Sequence, residues 1–207
     1  MSMEGSSLYD LVKRLDSACP SYTSMMSPKS TEEFIESFYT YIGNALNHLE
    51  KNAKHFSNQS EEALSATLAA FMSIPGVRVL QETYSGGHVD LTFEIGFGES
   101  CKTILGEAKI YAGPEYHKKG LSQLMDRYLT GRETQGAVIE YVKKRDIKGI
   151  MGKVRDDFDD SLPAKQQGPT EDHSLQWAFK SKHLHESGEG IIISHLGCNL
   201  YVKTVEN

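Results

Sequence analysis

The chain has 207 residues, 39% of them apolar and 24% charged, with 22 Lys and Arg against 28 Asp and Glu for a formal net charge of −6. That composition is too apolar for a disordered chain and too polar for a membrane protein, and the length suits one domain with room for an appendage. The acidic balance weighs against a bulk nucleic-acid coat protein but not against an enzyme whose cations are gathered on one side.

In chain order, residues 7–17 carry Leu8, Leu11, Val12 and Leu15 at helical spacing. Pro20 stops that helix, and a Ser/Thr/Met-rich stretch to Ser30 reads as a loop. Ser30 with Glu33 forms a capping box for a long helix toward Asn52, with Phe34, Phe38, Ile42, Ala45, Leu46 and Leu49 on one side. That face packs on its own domain or serves as a helical homodimer interface. Asn58 with Glu61 signals another helix start, and Pro75-Gly76 ends it. Residues 1–55 are thus expected as an N-terminal helical extension and 56–207 as the principal domain.

The period then changes from 3.6 to 2. Residues 77–84, 88–95 and 102–111 read as three strands, with turns at 85–87 and 96–100. Gly113-Pro114 opens a helix expected to reach Leu129, with Gly131 as its stop. Residues 135–142 form a strand, 146–158 a helix, 161–173 a loop, and two strands follow around 175–182 and 191–202. A meander, a crossover helix and a further strand imply an α/β fold with a mixed sheet flanked by helices.

Three residues stand out in the meander. Glu107 and Lys109, two apart, share a face of the third strand, and Asp90 leaves the apolar face of the second. In a hairpin, Asp90 faces Glu107. Adjacent carboxylates repel unless a cation joins them, and two carboxylates with water suit Mg²⁺, with Mn²⁺ as the alternative. The Ala108 carbonyl offers a third protein ligand. Lys109 can orient or deprotonate a water or stabilise an oxyanion. His88 shares the face of Asp90 and could contact a phosphate or water. Lys118, Lys119 and Arg127, on the following helix, are candidates for backbone phosphates.

The run GGHVDLTFEI…KTILGEAKIY, with Asp90, sixteen intervening residues and then Glu107-Ala108-Lys109, resembles the PD-(D/E)XK nuclease superfamily. The matching element order covers about residues 58–142. The resemblance implies a restriction-endonuclease-like core, a metal held by Asp90 and Glu107, and a further acidic residue on the first core helix, Glu61, with Glu62 as runner-up. It also implies a role for Gln123. In some members a Tyr follows that Gln at Q-x-x-x-Y, but Tyr128 is one residue too far, and α-helical register puts Arg127 on the face of Gln123. Val89 stands where a Pro is common. The function implied is a Mg²⁺-dependent endonuclease acting on nucleic acid, DNA rather than RNA, as a restriction or antiphage-defence effector; separately, the cysteine pattern and the lack of an apolar run of about 20 residues suggest a cytoplasmic protein with no membrane association. The alternative is a catalytically silent nuclease-like subunit that binds nucleic acid or a protein.

Other chemistries fare worse. Neither a G-x-S-x-G elbow nor a phosphate-loop motif is present. Cys19, Cys101 and Cys198 form no C-x-x-C pair and read as buried apolar residues in a reducing compartment. His183 and His185 could share a strand face for zinc but lack matching ligands, so they read as surface histidines near a hairpin. The acidic run 156–160 reads as a solvated helix end. Residues 102–155 hold 12 Lys and Arg against 6 Asp and Glu, so the net acidity belongs to the rest of the chain.

Overall fold

The structure is a computed structural model, and it describes residues 7–84, 88–96 and 101–203. Helices α1 (Leu8–Ala18), α2 (Pro20–Met26), α3 (Thr31–Lys51), α4 (Ala53–Phe56) and α5 (Glu61–Met72) precede strands β1 (Val77–Tyr84), β2 (His88–Ile95) and β3 (Lys102–Ile110). Then come α6 (Pro114–Gln123), a π-helical turn (Leu124–Tyr128), β4 (Gln135–Val142), α7 (Ile147–Ser161), β5 (Glu171–Asp172), β6 (Ala178–Leu184) and β7 (Gly190–Asn199).

The strands form one mixed sheet of seven in the order β1-β2-β3-β4-β7-β6-β5. β3–β4 and β4–β7 run parallel and the other pairs antiparallel. Parallel neighbours need a crossover, and α6 supplies it between β3 and β4. Helices cover both faces, which explains why β3 and β4 are buried almost throughout.

One face packs against α3 and α5. Phe38, Ile42, Leu49, Leu64 and Leu68 meet Leu91, Phe93, Ala108, Ile139 and Tyr141 there. The other face packs against α6, the π turn and α7, with Leu121, Leu124, Val154 and Phe158 over Leu105, Val138, Phe179 and Ile193. The apolar side of α3 is therefore buried in the chain's own core, where it is not available to a second copy. The helix assigned from sequence to an extension shares its core with the sheet.

Several local expectations need correction. Pro20 does mark the end of α1, but the stretch before Ser30 is not all loop, because Pro20 also occupies the first turn of α2. Ser30 caps α3 through the Glu33 N–H at 3.1 Å, but Glu33 accepts from Lys29 N–H, not from the cap itself. α5 is capped by Ser60, whose hydroxyl accepts from Ala63 N–H, and not by Asn58. Cys19 and Cys101 are exposed, and Cys198 alone of the three is buried. The acidic run does lie at the exposed end of α7, with Asp156, Asp159 and Asp160 exposed, and Asp159 in addition accepts from both Thr170 N–H and its hydroxyl. Turn residues 85–87 and 97–100 lie outside the described residues. Among the described residues, no helix is long and apolar enough to cross a membrane.

Candidate active site

The site forms where β2 parts from β3. Their ladder runs from Ile95–Lys102 to Leu91–Gly106, and Asp90 lies one residue past its end. Beyond that point the β2-side N–H groups of β3 are taken by carboxylates instead of backbone carbonyls. Ala108 N–H donates to Asp90 Oδ2 at 3.0 Å, and Ile110 N–H donates to Glu61 Oε2 at 2.8 Å. Glu61 can reach because it opens α5, whose N-terminus ends over this edge. The two acids thus stand in for the missing strand, and Glu61 rather than Glu62 does so.

Lys109 sits among the three acids. Its Nζ lies 2.6 Å from Glu107 Oε1, 3.3 Å from Glu61 Oε1 and 3.4 Å from Asp90 Oδ2. Gly120 of α6 lets the helix close on this pair, since a Cβ there would stand 3.3 Å from Lys109 Cγ and 3.4 Å from Glu107 Cγ. Glu107 is 1% exposed, and its Oε2 is buried without a hydrogen-bond partner. Burial first, and then the Asp90 charge, push the Glu107 carboxyl up to about 7, against the pull of Lys109. Burial alone would lower the Lys109 ammonium, but the bond to Glu107 and the charges of Glu107, Asp90 and Glu61 hold it above the ordinary lysine range. Lys109 is therefore a fixed cation, suited to stabilising negative charge rather than to taking a proton from water.

A groove of about 720 Å³ leads away from Lys109 along α6, lined by Lys118, Lys119, Gln123, Arg127 and the Ser161–Pro163 turn among others. Lys118 is the exception to the expected phosphate contacts. It is only 17% exposed and is held by Glu115 at 2.5 Å and Asp157 at 3.0 Å. Lys119, Gln123 and Arg127 line the groove without such partners being needed to place them there. The side chain of His88 lies outside the described residues.

Tyr128 stands nearer the site than its spacing suggests. The helix does not run on as α-helix to Leu129 but turns π after Gln123, with Leu129 N–H donating to Leu124 C=O. Gln123 and the exposed Arg127 still line the groove together, while Tyr128 belongs to the apolar core beneath. Tyr128 is buried, and after that burial the charges of Glu107 and Asp90 raise its hydroxyl above the ordinary range, which puts it within electrostatic reach of the site.

A second polar cluster has no counterpart in the sequence reading. His183, expected at the surface, is fully buried, as are His117, His195 and Glu140. Its members are joined by a continuous chain of hydrogen bonds.

Among the described residues, no group of three or more His, Cys, Asp or Glu side chains is arranged as a metal cage. A Mg²⁺ site does not require one, since one or two carboxylates with waters and substrate phosphates suffice. Asp90 and the orphaned Oε2 of Glu107 are the donors that fit. The Ala108 carbonyl points to the same edge of β3 as its N–H, toward Asp90. No family model, no curated protein and no solved structure matches the chain.

Proposed function

We propose that the chain is a Mg²⁺-dependent nuclease of the PD-(D/E)XK type, hydrolysing phosphodiester bonds in nucleic acid, DNA in preference to RNA, as a restriction or antiphage-defence effector. The observation that carries this reading is the convergence of Glu61, Asp90 and Glu107 on Lys109 at the head of a cation-lined groove. A plain core has no use for an unpartnered carboxylate oxygen beside two further acids. Such a group makes sense where a cation and a phosphate complete it.

Asp90, Glu107 and the Ala108 carbonyl would hold the metal. Bound there, Mg²⁺ would acidify a water and neutralise charge on the scissile phosphate. Lys109 supplies a fixed positive charge to the oxyanion that develops in displacement. Glu61 holds Lys109 and the β3 backbone, a positioning role. Lys119, Gln123 and Arg127 line the path on which the substrate backbone would lie.

The test is incubation of the protein with plasmid, linear and single-stranded DNA and RNA, in Mg²⁺, Mn²⁺ or EDTA. Metal-dependent cutting should fall on the order of 10²-fold or more in Asp90→Ala and Lys109→Ala. Cutting that survives both substitutions would overturn the assignment.

One observation favours the silent-module alternative. The quartet is already closed, with Lys109 bonded to all three acids and two of the acids tied to β3 backbone. That reading expects no cutting of any substrate and equal nucleic-acid binding by wild type and Asp90→Ala.

A further inference from the structure

The buried chain of polar groups beneath α6 has a direction that its end group dictates. His117, Glu140, His183 and His195 are 0% exposed and Ser181 is 2% exposed. His183 Nδ1 lies 3.0 Å from the Ala164 carbonyl, and the Ser181 hydroxyl lies 2.6 Å from His183 Nε2 and 2.7 Å from His195 Nε2. His195 Nδ1 is 2.7 Å from His117 Nε2, and His117 Nδ1 is 2.7 Å from Glu140 Oε1.

A carbonyl can only accept, so His183 carries its proton on Nδ1. Burial disfavours a second proton on this ring, so its Nε2 is a bare acceptor. The Ser181 hydroxyl must then donate to His183 and accept from His195 Nε2–H. His195, held neutral by burial and by the neighbouring histidines, leaves Nδ1 bare and accepts from His117 Nε2–H. The first four bonds are thus spoken for. One proton remains, between His117 Nδ1 and Glu140 Oε1, and either placement leaves the chain with no net charge.

This dyad lies next to the candidate site. Glu140 is the register partner of Lys109 across the parallel β3–β4 pair. His117 belongs to the same helix as Gly120, which closes on Glu107 and Lys109, and as Lys119 and Gln123, which line the groove. The chain ties that helix to β4, β7, β6 and the loop at Ala164. Phe158 of α7 and Phe179 of β6 wall it with aromatic rings. The charged or titratable groups acting on Glu140 besides His117 are Lys109 and Glu61, with Tyr111 also in reach, while His173 acts on His195.

We propose that Glu140 and His117 are positioning residues of the site: a buried dyad sharing one proton, oriented from the Ala164 carbonyl through His183, Ser181 and His195, that seats α6 on Glu107 and Lys109. What the seated helix is for rests on the nuclease reading. The protonation pattern does not.

The experiment uses the full chain labelled with ¹⁵N-histidine. Histidine nitrogen shifts should show the proton on Nδ1 of His183, on Nε2 of His195 and on Nε2 of His117, with His117 Nδ1 intermediate, and the His183 and His195 patterns should not change from pH 6 to 8. A proton on His183 Nε2, or free titration of His183 or His195 near pH 6.5, would overturn the proposal. Glu140→Gln tests the shared proton, because its amide can donate to His117 Nδ1 and preserve every other bond. In this variant His117 Nδ1 should become fully bare and amide exchange in α6 should stay at the wild-type rate. Glu140→Leu leaves Nδ1 unpaired and should speed exchange in α6 about tenfold relative to α5. Equal exchange in the two variants would refute the positioning role, and if Glu140→Leu does not fold, the wild-type and Glu140→Gln spectra still decide. Should wild type cut nucleic acid, Glu140→Leu should lower kcat with KM little changed and Glu140→Gln should restore it. Should it cut nothing, the nuclease reading fails while the nitrogen shifts still support or overturn the shared-proton dyad.

Discussion

Glu107 is the residue at which stability and the proposed function oppose each other. Its carboxyl is raised to about 7 from an ordinary value of 4.5, so the folded state holds this proton more tightly than the unfolded state does. The stabilising contribution is therefore fully present below pH 4.5 and is lost as pH rises through about 7. A shift of this size corresponds to about 3 kcal/mol at most. Glu107→Gln should accordingly melt above wild type at pH 8 in EDTA, and the advantage should vanish at pH 5. Mg²⁺ should raise the wild-type Tm at pH 8 and leave the variant unmoved, because a cation relieves the charge the variant no longer has. Scanning calorimetry at the two pH values checks both points, and a Glu107→Gln protein less stable than wild type at pH 8 in EDTA would show that the ionised carboxylate is well satisfied without metal. Asp90, Glu107 and Lys109 were legible because strand period alone assigns a face. His183 was not, because period 2 tells which residues share a face but not which face is covered. Only the arrival of β7, α6 and α7 decides that His183, His195 and His117 point inward.

Among the elements, the π turn after α6 is where the sequence pattern and the backbone geometry part. The apolar stripe Leu121, Leu124, Met125 and Tyr128 is as consistent with a continuous α-helix as with the turn observed, so no periodicity could reveal it. The turn absorbs one residue, and Asp126 is exposed, so its loss costs little packing. Deleting Asp126 should convert the turn to α-helix, bring Tyr128 four residues after Gln123, and leave a cooperative melt within about 5 °C of wild type. Circular dichroism melts read this directly, and loss of cooperative unfolding would mean that the π geometry is itself required. The same contrast holds for the rest of the fold. The meander, the crossover helix and the parallel return of β4 were legible from turn residues and period. The sheet order beyond β4 was not, because the insertion of β7 between β4 and β6 is fixed by long-range pairing that leaves no local mark. The α2 helix was hidden by Pro20, which reads equally as a stop for one helix and a start for the next.

Across the whole molecule, charge is divided along the chain in a way that the fold turns into a surface. The segment from β3 to the middle of α7, residues 102–155, carries 12 Lys and Arg against 6 Asp and Glu, while the chain as a whole is at −6. Two of those six acids, Glu107 and Glu140, are buried, which leaves the exposed part of this segment more positive than the count alone suggests. The groove gathers Lys109, Lys119 and Arg127 from it. Phosphate binding releases counterions, and each phosphate neutralised steepens the dependence of log affinity on log salt by about 0.9 for duplex DNA. If the groove carries the substrate backbone, the double variant Lys119→Ala/Arg127→Ala should flatten that slope by about 2, uniformly across sequences. Lys118→Ala should do much less, because Glu115 and Asp157 already neutralise this ammonium. Lys13→Ala/Arg14→Ala on α1, an exposed helix outside the groove, should leave the slope where it was. Fluorescence anisotropy with a labelled duplex at several salt concentrations separates the three. A slope that falls equally with the α1 charges would mean that binding reads the net field of the protein and not this groove.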